Sequence, residues 1–138
     1  MFESLQKYHH CGQFKFRRFD NLKDVCNAPI DRSGVYLVWT KRSGGHYLLY
    51  IGRSGHKLKD GSIKHRQGGI KDRLVNGQQF GKIARRHSWP KVMEELGIYE
   101  LDVHWYDSGM DDPVDVERDL LLEYQAAFGC LPPWNSKV

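Results

Sequence analysis

A small α/β (α+β) domain, built on a three-stranded antiparallel sheet flanked by helices, is predicted by three features of the sequence. Two runs rich in β-branched, aromatic and aliphatic residues, 35–40 and 47–51, are joined by Arg42-Ser43-Gly44-Gly45, which reads as a hairpin turn. Residues 98–106 set Leu101, Val103 and Trp105 against Asp102, His104 and Tyr106, the period-two alternation of a third strand. Helical segments with start and stop signals interleave with these strands, so one layered core is expected. A length of 138 residues suits one such core. Residues 34–138 read as that domain and 1–33 as an N-terminal extension of a strand and a short helix packing on it.

Taken in order, Phe14-Lys15-Phe16-Arg17-Arg18-Phe19 alternates like a strand with its basic side outward. Asp20 begins a short helix through Cys26, which Pro29 stops. After the hairpin, residues 54–68 are rich in Gly, Ser, Lys and His around the turn Asp60-Gly61 and read as an exposed loop. Order resumes as a helix over 70–75, ended by Asn76-Gly77. Ser88 reads as the N-cap of a helix over 89–96, with Pro90 in its first turn and Gly97 as its stop. The strongest helix is 114–128, opened by Asp112-Pro113 and closed by Gly129.

No apolar run approaches the ~18 residues of a membrane span, and the first ten residues lack a secretory pattern, so a cytoplasmic protein is expected. Three cysteines, Cys11, Cys26 and Cys130, lack CxxC spacing and read as reduced thiols. His9-His10-Cys11 has no second ligand cluster at a recognised spacing, which argues against zinc. Charge is unevenly spread: residues 1–52 hold eight Lys/Arg against four Asp/Glu, residues 53–86 ten against two, and residues 87–138 three against eleven. The basic third follows the hairpin directly and suits a phosphate backbone; the acidic third offers carboxylates for a divalent cation that bridges to phosphate.

Tyr36 stands early in the first hairpin strand and Tyr50 late in the second. They share a face if even positions pair with even, as with Thr40 opposite His46 around a five-residue loop, or if a bulge corrects the parity.

Gly34-Val35-Tyr36, Tyr50-Ile51-Gly52-Arg53, Ile70-Lys71-Asp72-Arg73-Leu74, the run from Glu117 to Glu123 and the closing Pro133-Trp134-Asn135 occur in the order seen in GIY-YIG nucleases, which this chain resembles over residues 34–135. The resemblance implies a GIY-YIG-like fold and a DNA endonuclease that uses one Mg²⁺ or Mn²⁺ to leave 5′-phosphate and 3′-hydroxyl ends. It makes Tyr36 and Tyr50 the site tyrosines, Arg73 the phosphate-contacting arginine, Glu123 the metal ligand and Asn135 a supporting polar group. Arg53 stands where many members have Lys, which retains phosphate contact but not a proton relay. Trp134 replaces the more usual tyrosine. The interval from Tyr50 to Arg73 is long, so Arg66 competes with Arg73.

The chemistry is consistent with that assignment. Phosphodiester hydrolysis needs an activated water, cations for the developing charge and a stabilised leaving oxygen. A phenol of ordinary pKa ~10 acts as base near neutrality only where cations favour its phenolate. The residues leave open whether Tyr36 or Tyr50 takes the proton and whether His56 or His65 assists. His56, Lys64, His65, Arg66 and Lys71 are the further phosphate-contact candidates. On a helical wheel Val114, Leu121, Tyr124 and Phe128 define a core stripe with Glu123 beside its shoulder, whereas Glu117 falls inside the stripe near the positive helix end and competes as ligand. Nucleic acid is the expected partner, DNA in preference to RNA and in single-stranded or structured form. A homodimer or partner protein could supply specificity. The alternatives are a nucleic-acid-binding module without hydrolysis and a nuclease toxin or defence effector.

Overall fold

Alternation places Phe14 and Phe16 inside and Lys15 outside in the first strand, β1 (Cys11–Arg17), of a computed structural model that describes all 138 residues. β1 pairs along its whole length with β6 (Glu100–Asp107), from Cys11 opposite Tyr106 to Arg17 opposite Glu100. The sheet is therefore antiparallel with four strands, not three, in the order β1-β6-β2-β3, where β2 is Gly34–Arg42 and β3 is Gly45–Ser54. Residues 1–33 thus contribute a strand to the sheet itself, because the two phenylalanines need the same core as the hairpin.

The hairpin turns on two residues, Ser43 and Gly44, both at positive φ (34° and 80°), which matches the twist of the strands. The predicted Thr40–His46 pair is not formed: Thr40 lies opposite Tyr47 and Lys41 opposite His46. A bulge then shifts the register between Val38 and Trp39, so that Val38 faces Tyr50 and Tyr36 faces Gly52. Even positions meet even ones beyond it, and both tyrosines reach one face.

Helices cover both faces. Under α1 (Leu22–Val25), α2 (Gly69–Asn76) and α3 (Arg85–Leu96) lie Phe14, Phe16, Tyr36, Val38, Leu101 and Val103. On the other face, Val35, Leu37, Leu48 and Ile51 pack on Leu120 and Leu121 of α4 (Pro113–Phe128) and on Phe2 and Leu5 of a short N-terminal 3₁₀ turn. Asp112 caps α4 by accepting from the Val114 N–H (3.0 Å). Leu120 joins Leu121 in its buried stripe, while Phe128 is 60% exposed and rests on Tyr124. α3 starts at Arg85, so Ser88 is no cap and sits buried inside the helix with Pro90. The predicted loop after β3 contains a two-stranded ribbon, β4 (His56–Lys57) with β5 (Ile63–Lys64). No helix is long and apolar enough to cross a membrane.

Candidate active site

β3 is an edge strand, and the chain's end closes over it. Trp134 N–H donates to Leu49 O (2.8 Å), and the Asn135 amide brackets Ile51, accepting from its N–H and donating to its carbonyl, each at 2.9 Å. Asn135 thereby acts as a substitute strand partner for an edge that would otherwise be unpaired. The cleft at this edge, of about 620 Å³, takes Tyr50 and Arg73 from the α2 side of the sheet and Arg53 and Glu117 from the α4 side. Arg66, Arg118 and Lys137 also line it, so five cationic side chains face one carboxylate.

Glycines make room for the tyrosines. A Cβ on Gly52 would stand 2.5 Å from Tyr36 Cζ and 2.6 Å from Tyr50 Cε2, because both rings lie across that position. Gly34, at the start of β2, is equally constrained by the Tyr106 carbonyl. The rings of Tyr36 and Tyr50 are 6.1 Å apart at 39°. Tyr36 is fully buried, and its hydroxyl makes no full hydrogen bond but lies beside the Arg73 guanidinium; Tyr50 reaches the cleft.

Burial governs the electrostatics first. It pushes the Tyr50 phenol above its ordinary value, Tyr36 and Glu117 push the same way, and Arg85 and Arg73 pull only partly back. Tyr50 is thus a protonated donor near neutral pH. Burial also raises the Glu117 carboxyl, against the pull of Arg53 and Arg73. For Arg73 burial works against the charge, but Tyr36, Tyr50 and Glu117 outweigh it and raise its pKa. The Arg53 Nε lies 3.3 Å from Glu117 Oε1.

The other expected residues are distributed as follows. Glu123 lies outside the cleft: its Oε2 accepts from the Phe2 backbone N–H (2.7 Å) and ties the N-terminus to α4. Six helical positions turn it by roughly 120° from Glu117, so the two carboxylates cannot share one site. The carboxylate of the cleft is Glu117, the competitor. Arg66 lines the cleft with its Nε held 2.8 Å from Asp72, leaving Arg73 as the cleft arginine coupled to both tyrosines. His56 and Lys64 are exposed on the β4–β5 ribbon, and His65 hydrogen-bonds Ser33 Oγ (2.6 Å) in a separate hollow with His10, Arg32 and Asp107. Lys71 points elsewhere on α2 and is not among the cleft residues.

Two residues at the site escaped the sequence reading. Arg85, fully buried, lies over Tyr36 (5.3 Å), Tyr50 (5.5 Å) and Trp89 (5.7 Å). Gln79 Oε1 accepts from Arg85 Nε and Trp89 Nε1, both at 3.0 Å. Neither residue type nor spacing marks Arg85, and Gly77, where an added Cβ would meet the Arg73 carbonyl before it met Arg85 Nη1 at 2.7 Å, reads only as the end of α2.

No group of three His, Cys, Asp or Glu side chains comes together to cage a metal. Glu117 fits a looser mode, in which Mg²⁺ keeps waters and is held by one carboxylate together with substrate phosphate. Comparison with family models, curated proteins and solved structures returns no match in any of the three.

Proposed function

We propose that this chain is a divalent-metal-dependent DNA endonuclease of the GIY-YIG kind, hydrolysing phosphodiester bonds to 5′-phosphate and 3′-hydroxyl ends. One observation carries the reading: at a single sheet edge, Tyr50 and Arg73 from one face meet Arg53 and Glu117 from the other in a cleft lined by five cationic side chains, three of them paired with carboxylates. Arg73 and Arg53 would neutralise the equatorial oxygens of the scissile phosphate, and Arg118 and Lys137 would hold the flanking backbone. Tyr50 Oη, kept protonated by burial, would donate to a phosphoryl or leaving oxygen. Glu117 would hold Mg²⁺ or Mn²⁺, which when bound polarises the phosphoryl oxygen and stabilises the leaving 3′ oxygen. The substrate class favoured is single-stranded or structured DNA, with a second copy or a partner protein adding specificity.

The Arg53–Glu117 ion pair supports a second reading, a nucleic-acid-binding module in which the carboxylate is occupied and hydrolysis is lost. The two separate in one assay. Labelled single-stranded, duplex and branched DNA, with matching RNA, are incubated with Mg²⁺, Mn²⁺ or EDTA beside Glu117→Gln, Tyr50→Phe and Glu123→Ala. The nuclease reading expects metal-dependent cuts, a loss on the order of 10²–10³-fold in Glu117→Gln and Tyr50→Phe, and cleavage retained in Glu123→Ala. Cleavage indifferent to Glu117→Gln and Tyr50→Phe overturns the site, and tight binding without cuts selects the module.

A further inference from the structure

Arg85 presents an anomaly. A guanidinium with no exposure at all ordinarily has a carboxylate beside it, because an isolated buried charge is costly. Here its hydrogen-bond partners are neutral: Nη1 donates to the Arg73 carbonyl (2.6 Å), Nε to Gln79 Oε1 (3.0 Å), and Nη2 has no partner. What surrounds it instead is aromatic, and the two nearest rings are those of Tyr36 and Tyr50. The Tyr36 hydroxyl, also buried, makes no full hydrogen bond and has the Arg73 guanidinium as its polar neighbour. A phenol becomes an anion by releasing one proton to water, and a buried cation over two phenols lowers the cost of that release.

We propose that Arg85 is a positioning residue whose buried guanidinium supplies the counter-charge for a phenolate formed on the Tyr36–Tyr50 pair. Above the neutral range in which Tyr50 stays protonated, one phenol oxygen releases its proton to water, the guanidinium keeps all of its own, and the cluster of Arg85 with the two phenols passes from one net positive charge to none. Other charges face the pair from each surrounding element: Arg73 from α2, and Glu117 from α4, itself paired with Arg53 of β3. Arg73 assists and Glu117 opposes, but both meet solvent in the cleft, whereas Arg85 is wholly enclosed and so least screened. The role rests on the proposed nuclease reading only for its purpose; the charge coupling stands apart from any substrate.

The test follows the phenols directly. Protein carrying ¹³Cζ-tyrosine is titrated by NMR, with the two signals assigned from Tyr36→Phe and Tyr50→Phe. The lower of the two midpoints is expected to rise by about one pH unit or more in Arg85→Met, and by clearly less in Arg85→Lys, which keeps the charge but not the planar fork. Equal shifts in Met and Lys variants would mean packing alone and would overturn the assignment. So would unchanged midpoints in a folded Arg85→Met, or a wild type whose two phenols stay protonated up to its alkaline unfolding. A measurement on the wild type covers the case in which Arg85→Met fails to fold: the Arg85 Nε resonance must move with the same midpoint as a site phenol, and a flat response overturns the proposal. A protein that titrates as expected but cuts no nucleic acid removes the nuclease reading and leaves the Arg85 coupling standing.

Discussion

Beneath α4 the sheet is covered by apolar side chains, Val35, Leu37, Leu48 and Ile51 against Leu120, Leu121, Phe2 and Leu5. Beneath α2 and α3 the covering is apolar too, but Tyr36 Oη, Gln79 Nε2, Arg85 Nη2 and Ser88 Oγ are buried there without partners. A further orphaned atom, Asp102 Oδ1, lies on the α4 side but outside the cluster under the helix, where the other carboxylate oxygen of Asp102 is 3.3 Å from His104 Nε2. Each orphaned group costs roughly 1–3 kcal/mol relative to a satisfied one. One face therefore contributes stability with little compromise, and the other gives some up where the tyrosines and Arg85 converge. Such local inconsistency is what functional sites ordinarily show.

The difference can be broken first from the apolar side. Leu120, 1% exposed, fills the centre of the α4 contact. Leu120→Ala is expected to cost about 3 kcal/mol in urea unfolding, from lost transfer energy and a residual cavity, while cleavage per folded molecule stays unchanged. A collapse of cleavage in the folded variant would show that the two faces are not separable. Gly52→Ala attacks the other side. Its Cβ would enter the space of both tyrosine rings, so it is expected to cost about 2 kcal/mol by overpacking and to abolish cleavage together. Full activity in Gly52→Ala would mean that the placement of the tyrosines does not matter.

Much of this was legible in the residues, for physical reasons that also explain the rest. Strong punctuation fixed the helices at Asp112-Pro113, Asn76-Gly77 and Gly129, and alternation fixed β6. The shared face of Tyr36 and Tyr50 comes from a bulge, one of the two solutions that parity admits, and parity alone does not choose between them or locate the bulge. Glu123 and Glu117 show the limit of a helical wheel. Glu117 lies inside the buried stripe, and a sequence cannot tell whether such a carboxylate meets a core or a cleft; the answer depends on where the sheet edge ends. β1 reads as a strand from its alternation but not as a sheet member, because pairing across about ninety residues leaves no local trace. Arg85 left no signal, since its role comes from enclosure by Tyr36 and Tyr50 of the distant hairpin together with Trp89 one turn along its own helix.

Ser88 gives the finest test of the comparison, because it shares the burial and the missing partner of Arg85 but not its charge. It is 1% exposed on α3, its N–H is satisfied by the Ala84 carbonyl (3.0 Å), and its Oγ has no partner. A buried hydroxyl without a hydrogen bond is a net cost, so Ser88→Ala removes an orphaned polar atom and leaves only a small void. Alanine also has the higher helix propensity. The variant is therefore expected to unfold at slightly higher urea, by about 0.5–1 kcal/mol, with cleavage unaltered, whereas truncating Arg85 on the same helix disturbs the tyrosines. If Ser88→Ala instead loses stability, its hydroxyl is satisfied in solution and the polar face carries less cost than its orphaned atoms indicate. If it loses cleavage while keeping stability, the functional network extends past Arg85 by one turn of α3.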